Sequence, residues 1–462
     1  MARSEAMPVQ PVDLPANFDL LQLHAGNPQR YPYLLESVAM DSHRRDEDAF
    51  DVLFAFPGEM LRLDHHFRLH GPGAAGSGNQ FLPALDDWWR RTRRPPDAES
   101  AVPFRGGWFV FLGYELVRQI EHSIRTRHPP VGPVAFATRI PVALVRNRRN
   151  GRAWITAEPA HRGDAALLEQ DVRASCLQQH VTAPHEALVT GISEPDPAAF
   201  LHAVDRIRQL IARGDVYQVN LARRWTATVS AGLTPADIYR RLRRTNPAPY
   251  AGLATLGDWS VISSSPERLV RCRNGTVDSR PIAGTRPTAD DPGLEEARRQ
   301  DLLANPKERA EHIMLIDLER NDLGRVCQPG TVEVDEFMAV ESYAHVHHIV
   351  SNVRGRLRDD VSPGDLIRAM FPGGTITGCP KVRCMEIISD LEGAPRGPYT
   401  GSMGYVNQDG SCDLNILIRS FALQGRNLSF AAGSGIVADS SPVRELEETR
   451  AKAKGLLLAL AG

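Results

Sequence analysis

The sequence predicts a mixed α/β or α+β fold built on long sheets, and three observations carry that prediction. Short β-like runs alternate irregularly with amphipathic helical stretches, their spacing does not make regular βαβ units, and no repeat recurs at a fixed period of about 20–50 residues. With 462 residues, and about 150 per domain as a prior, there is room for one large to three ordinary domains.

Between Asn17 and about Val181, β-like runs at 108–112, 140–145 and 153–157 are joined by connections rich in Pro, Gly and Arg. A polar, Pro-containing stretch over 182–197 then divides the chain into an N-terminal region, 1–185, and a second domain, 196–462. The second domain opens on an amphipathic helix. Phe200, Val204, Ile207 and Ile211 share one face at three- and four-residue spacing, and Gly214 supplies a stop. Beyond it come strand-like runs at 216–221, 260–264, 402–406, 414–418 and 428–432. Helices are expected near 294–304, 306–320, 363–370, 380–391 and 442–460.

Composition excludes several classes. The chain is 42% hydrophobic and 24% charged, with a net charge of −2, no dense Lys/Arg block and no apolar run near the roughly 18 residues of a membrane span. Nucleic-acid and membrane partners are therefore not expected. Residues 1–15 lack the basic-then-apolar order of a secretory signal, which points to the cytoplasm. Six scattered cysteines without a CxxC pair read as reduced thiols. Only four lysines occur, Lys307, Lys381, Lys452 and Lys454, so a mechanism that needs an amine must choose among them.

Two helix starts carry carboxylates. Asn305-Pro306 and Ser441-Pro442 each place a capping side chain before a proline, and Glu308/Glu311 and Glu445/Glu448 follow at a spacing that lets two carboxylates approach one cation. Four oxygen donors without His or Cys suit Mg²⁺ better than zinc. First-turn acids complementing a helix dipole have the same spacing, so the pattern alone leaves both readings open.

The run Phe371-Pro-Gly-Gly-Thr-Ile-Thr-Gly-Cys-Pro-Lys381 is a glycine-rich loop entering a helix, where backbone N–H groups near Gly378 suit an anion such as a carboxylate. It is not a Walker A loop, because no Ser/Thr follows Lys381. Gly433-Ser434-Gly435 is a second cluster of this kind, and Arg419 could clamp a carboxylate. In 344–348, strand alternation puts His345 and His347 on one face and His348 on the other, and no second cluster completes a zinc site. Gly71-Pro-Gly-Ala-Ala-Gly76 matches GxGxxG with a proline inside the turn and is not expected to bind a dinucleotide. No serine nucleophile elbow and no Gly-x-Cys-x-Gly turn is present, so hydrolase and glutaminase chemistry are not visible in this chain.

Across about 196–460 the chain resembles the chorismate-utilising enzyme family. The resemblance rests on Gly214-Asp-Val-Tyr-Gln-Val-Asn-Leu221, Ser264-Ser-Pro-Glu267, Arg280-Pro-Ile-Ala-Gly-Thr-Arg286, the Glu308 to Asp317 block, Arg320-Asn-Asp-Leu-Gly324, the 371–381 loop and Gly433-Ser-Gly-Ile-Val-Ala-Asp439. It implies an α+β fold of two large sheets packed face to face, with helices outside. It also implies that Glu308, Glu311, Glu445 and Glu448 surround Mg²⁺ at the ring carboxylate of chorismate. His348 and Thr375 would face the reacting ring. Tyr399 and Arg419 would hold the enolpyruvyl carboxylate, and the Gly433–Gly435 backbone and Lys452 would complete the substrate shell. Glu267 matches the acid that protonates the departing C4 hydroxyl, a role that needs a carboxyl kept protonated by burial.

Gln218 stands where water-using relatives have a lysine and is similar to the ammonia-using members. An ammonia user without its own amidotransferase domain implies a separate glutamine amidotransferase subunit as partner. The blocks around Gly214, Gly373 and His348 look most like the C4-aminating branch, the aminodeoxychorismate synthases that serve 4-aminobenzoate and folate synthesis. Ala283 is instead what anthranilate synthases have, where the well-known C4-aminating form carries a lysine that attacks C2. Leu34-Leu-Glu-Ser37 is similar to the tryptophan-feedback element, but the charged stretch 41–51 replaces the aromatic-serine segment expected next, which argues against feedback inhibition. The expectation is amination of chorismate at C4 with the enolpyruvyl group retained, and anthranilate formation is the alternative. A non-catalytic chorismate-binding scaffold would have lost some of the four carboxylates, and all four are present.

Overall fold

Runs such as Gly107–Leu112 (GWFVFL) are apolar at every position, which suits strands covered on both faces. The computed structural model describes residues 9–39, 49–96, 100–176, 187–288, 291–342 and 346–461, and there these runs are the inner strands of two sheets. Residues 41–48 of the charged stretch, 182–186 of the polar connection, His345 and the Lys307 side chain lie outside the described residues.

Among the described residues one sheet has twelve strands and the other eleven, the paths below being completed by Gly378–Cys379, which pairs with Gln218–Val229, and Glu333–Ser342, which pairs with Val346–Arg356, and the pairings are antiparallel. The first runs from Val9–Val12 through Ala153–Ala157, Val142–Asn147, Phe50–Ala55 and Tyr33–Glu36 to Tyr250–Leu256. It continues through Trp259–Ser265, Ser420–Gln424, Asn427–Ile436 and Gln218–Val229 to Val189–Ser193. The second runs from Ile282–Pro287 through Val346–Arg356, Thr276–Ser279, Arg268–Arg273, Cys412–Asn415 and Ser402–Asn407 to Gly107–Leu112, Ala135–Ile140, Met60–Leu63 and Leu69–His70. Both sheets draw strands from each side of the 185–196 boundary: Tyr33–Glu36 pairs with Tyr250–Leu256, and Gly107–Leu112 with Ser402–Asn407.

Period-two alternation sends neighbouring side chains into different cores. Trp108, Val110 and Leu112 face the helices outside the second sheet, among them Phe81–Thr92 and Pro363–Met370, while Phe109 and Phe111 enter the space between the sheets. Leu34 likewise faces the helices outside the first sheet, and Tyr33 turns inward to stack on Phe109 with ring centroids 4.1 Å apart. The result is four layers, helix–sheet–sheet–helix, in which the α+β expectation and the packed pair of sheets both hold.

The amphipathic helix is Pro197–Ala212, capped by Asp196 and followed by Arg213 and a positive-φ Gly214, with Phe200, Val204 and Ile207 buried. The five helices expected downstream appear as Pro292–Ala304, Pro306–Gly324, Pro363–Met370, Lys381–Glu392 and Pro442–Leu460. Three local expectations need correction. The run 140–145 is two strands that meet at Pro141, which has no N–H to give the ladder. The run 414–418 is strand only to Asn415, because Leu417 turns to pair with Gly401 and Arg419 takes a positive φ of 50°. Asn305 caps its helix through Glu308 N (3.3 Å), but the Ser441 side chain makes no cap bond, and only its carbonyl accepts from Glu445 N.

Candidate active site

The site is built where Gln218–Val229 runs antiparallel to Asn427–Ile436 in a register that sets Asn220 opposite Gly435 and Ala222 opposite Gly433. Both glycines are required by the close approach of neighbours. A Cβ on Gly433 would lie 2.6 Å from Asn220 Oδ1 and 2.7 Å from the Tyr399 hydroxyl, and one on Gly435 would lie 2.4 Å from Gln218 Nε2. Ser434 points to the other face, where its hydroxyl donates to Glu445. The glycine cluster therefore leaves space for polar side chains to converge over bare backbone.

The 371–381 loop closes one side. It contains a short 3₁₀ turn, Gly374–Ile376, and then Gly378–Cys379, which adds as a two-residue strand to Gln218 and Val219. Gly378 has φ +126°, and a Cβ there would stand 2.1 Å from the Gln218 carbonyl, so no other residue fits. Gln218 Nε2 donates to Glu311 (2.6 Å), and Gln218 Oε1 has no partner among the described residues.

Glu267 follows strand Trp259–Ser265 through a Pro turn, with its N–H on Ser265 Oγ (3.2 Å) and its carbonyl taking Ile416 N (3.0 Å). Burial pushes its carboxyl up to about 8; the Thr375 hydroxyl, Lys452 and the Ile282 N–H oppose this, and Glu319 adds to it. At pH 7 the group is a carboxylic acid. Close by, the half-buried Arg419 guanidinium has no hydrogen-bond or ion-pair partner among the described residues. Desolvation lowers its pKa and Glu267 raises it. A partly desolvated, unpaired guanidinium is a strong receptor for a carboxylate.

His348 lies in Val346–Arg356 between two neighbouring strands, and its Nδ1 is 3.3 Å from the Gly284 carbonyl. Burial pushes its pKa down to about 4, so the ring is neutral, with Nδ1–H as donor and Nε2 as acceptor. His347 points the other way, to Ser342 (2.9 Å), in keeping with the alternation. Thr375 sits in the 3₁₀ turn, and its buried hydroxyl has no partner among the described residues. Tyr399 is buried under Arg396 (5.5 Å to the ring), and Lys452 Nζ donates to the Gly433 carbonyl (3.1 Å).

The four carboxylates occupy the N-terminal turns of Pro306–Gly324 and Pro442–Leu460. Glu311 takes Gln218 Nε2, Glu445 takes Ser434, Glu448 pairs with Lys452 (2.7 Å), and Glu308 Oε2 would stand 3.0 Å from a Cβ on Gly284. Among the described residues no three His, Cys, Asp or Glu side chains are gathered to hold an ion. The donor set is all oxygen and fits a hard divalent cation, with Gln218, Ser434 and Lys452 as the contacts such an ion would exchange.

Two features were not singled out in the sequence. Arg396, fully buried, donates to Asn220 O (2.8 Å), Ile376 O (3.1 Å) and Glu392, and so ties the Tyr399 loop to the strand and to the 371–381 loop. Glu319 and Asp322 lie inside Pro306–Gly324, with Asp322 ion-paired to Lys381. Asp322 stands in the 320–324 block noted above, but its partner is distant in the chain, so local pattern carries no signal of the ion pair or of Glu319. Leu35, Glu36 and Ser37 line a separate cavity of about 90 Å³ between the sheets, with Tyr250, Met403 and Tyr405, and none of the candidate site residues lines it.

The chorismate binding enzyme family matches residues 42–458. The chain is 40% identical over 385 residues to an anthranilate synthase component I-like protein of Synechocystis sp., across 83% of this chain and 78% of that protein. It is 39% identical over 405 residues to aminodeoxychorismate synthase component 1 of Bacillus subtilis, across 85% and 84%. Anthranilate synthase component I from Streptococcus pneumoniae TIGR4 has the same fold, with a TM-score of 0.76 and 31% identity, over 88% of this chain and 91% of that one.

Proposed function

The chain belongs to the chorismate-binding enzymes, of the anthranilate synthase and aminodeoxychorismate synthase type, and from that premise we propose that it aminates chorismate at C4 to 4-amino-4-deoxychorismate. The observation that carries the chemistry is Glu267, a buried carboxyl still protonated at neutral pH beside the unpaired Arg419 guanidinium. Hydroxide is a poor leaving group, and a positioned acid lets the C4 oxygen leave as water.

In this reading Arg419 and the Tyr399 hydroxyl take the enolpyruvyl carboxylate, with the Gly433–Gly435 backbone beneath it and Lys452 at the rim. Glu308, Glu311, Glu445 and Glu448 would hold Mg²⁺, which when bound neutralises the ring carboxylate. Neutral His348 and Thr375 face the ring. Gln218 stays uncharged, so it can orient ammonia without taking a proton from it. Ammonia comes from a separate glutamine amidotransferase subunit.

Ala283 favours a second reading, anthranilate formation. It follows Ile282, whose N–H faces Glu267, so the position adjoins in the chain a residue at the proposed acid and carries a methyl group instead of an amine. An alanine forms no covalent bond to C2, so in the C4 reading ammonia adds directly and no enzyme–chorismate adduct can be trapped. The deciding experiment incubates the protein with chorismate, Mg²⁺ and an ammonium salt and assigns the products by NMR. A 4-amino product with the pyruvyl group retained supports the first reading. Anthranilate with free pyruvate overturns it in favour of the second.

A further inference from the structure

A buried carboxyl that the reaction above does not use stands against the turn that carries Tyr399. Glu115 lies in the short 3₁₀ turn Tyr114–Leu116, just after strand Gly107–Leu112, and is 1% exposed. Its Oε1 accepts the Arg396 N–H (2.7 Å), and its Oε2 accepts the Gly397 N–H (3.0 Å). The neighbouring Tyr114 N–H donates to the Gly397 carbonyl (2.8 Å), and the Tyr114 ring lies 5.0 Å from the Arg396 guanidinium. Backbone N–H groups in an irregular turn have no ladder to join, and buried ones must find another acceptor. Here one side chain from the N-terminal region takes two of them.

The turn leads directly to Tyr399. The Tyr399 N–H donates to the Arg396 carbonyl (3.3 Å), and the Thr400 N–H to the Leu417 carbonyl (2.8 Å), so little slack separates the clamped residues from the ring. The Tyr399 hydroxyl in turn stands over bare backbone, 2.7 Å from where a Cβ on Gly433 would be. The Arg396 side chain holds the turn to Asn220 and Ile376, as described above, while Glu115 holds its backbone.

We propose that Glu115 is a positioning residue: by clamping the Arg396 and Gly397 backbone it fixes where the Tyr399 hydroxyl stands, and so sets the affinity for the enolpyruvyl carboxylate of chorismate. The inference rests on the assignment of Tyr399 made above and holds for amination at either C4 or C2. Burial pushes the Glu115 carboxyl up to about 7, against the N–H groups of Gly397, Glu115 itself and Arg396 and the charge of Arg224, so at pH 8 it is a carboxylate that accepts with both oxygens. The enolpyruvyl carboxylate is held alike before and during the amination step. Loosening its contact therefore weakens binding and leaves kcat in place.

The test is a double-mutant cycle on chorismate affinity, read by isothermal titration of chorismate into the full chain at pH 8 with Mg²⁺ and no ammonium. In Glu115→Gln an NH₂ group replaces one carboxylate oxygen and faces a backbone N–H, so the turn shifts while the side chain keeps its volume. The expected Kd is about tenfold above wild type, with kcat at saturating chorismate within about twofold, and Tyr399→Phe weakens binding by about as much. In the double variant the two losses do not multiply, because Glu115 acts only through Tyr399. Glu115→Asp, too short to reach both N–H groups, is expected to give the same cycle should the first variant misfold. Losses that multiply, or a wild-type Kd in a folded Glu115 variant, overturn the inference. If Tyr399→Phe binds chorismate as tightly as wild type, the assignment of Tyr399 fails and the inference with it; if only the Glu115 variants bind normally, the assignment stands and the clamp fails.

Discussion

A carboxyl that must donate a proton at neutral pH has to be taken from its ordinary value of 4.5 to a pKa near the working pH, and burial does this to Glu267, raising it to about 8. The rate of the acid-dependent step is then expected to fall as pH rises through about 8, and Glu267→Gln to keep chorismate binding while losing at least 100-fold in kcat. The same burial has a stability cost with a definite sign. Between about 4.5 and 8 the folded chain binds a proton that the unfolded chain has lost, so this residue makes stability fall with rising pH in that window. Glu267→Gln should therefore flatten the dependence of Tm on pH and leave the inactive protein more stable at pH 8.5, by on the order of a few kcal/mol. A pH-independent difference between the two Tm curves would contradict this assignment. Gly435 makes a steric prediction: Gly435→Ala pushes a methyl into Gln218 Nε2, and activity should drop at least tenfold while the far-UV spectrum stays unchanged. These residues were legible in the sequence as motifs. That Glu267 would be desolvated and Arg419 left unpaired was not, because burial comes from segments hundreds of residues apart.

Elements announce their own starts in this chain because a capping residue stands before proline again and again. Asp196-Pro197, Asp291-Pro292 and Ser362-Pro363 begin helices with the side chain accepting a backbone N–H, as does Thr234-Pro235, where Asp237 completes a reciprocal pair. Thr234→Ala should cost about 1 kcal/mol, read as a lower denaturant midpoint at unchanged slope. Helices downstream of residue 290 were thus predictable to within a few residues. Pro235–Thr245, with Ile238, Tyr239 and Leu242 buried, was not singled out despite that signal. Strand ends were less legible. Asn415 ends its strand because the next residues turn toward Gly401 and bring Arg419 to the site, a tertiary demand that outweighs local β preference.

At the scale of the molecule, the sheets are joined by an aromatic layer in which Tyr33 stacks on Phe109, Phe54 meets Phe104 edge-on, and Phe111 meets Trp259. Phe109→Ala empties the centre of that layer and is expected to destabilise the protein by about 3–5 kcal/mol. Because each sheet takes strands from both halves of the chain, the loss should appear as one cooperative transition shifted to lower temperature, and two separated calorimetric transitions would contradict it. Alternation of apolar residues, helix starts at proline, the two glycine clusters and the carboxylate pairs are local properties, and the sequence by itself determined them along with the family they resemble. Tertiary contacts alone settle which strands share a sheet, that Gly433 and Gly435 lie bare beneath Tyr399 and Gln218, that Arg419 is brought beside the buried Glu267, and that Glu319 lies against Gly374. The physical reason is that desolvation and cross-strand register are set by contacts between segments distant in the chain, and neither is encoded in any short stretch of residues.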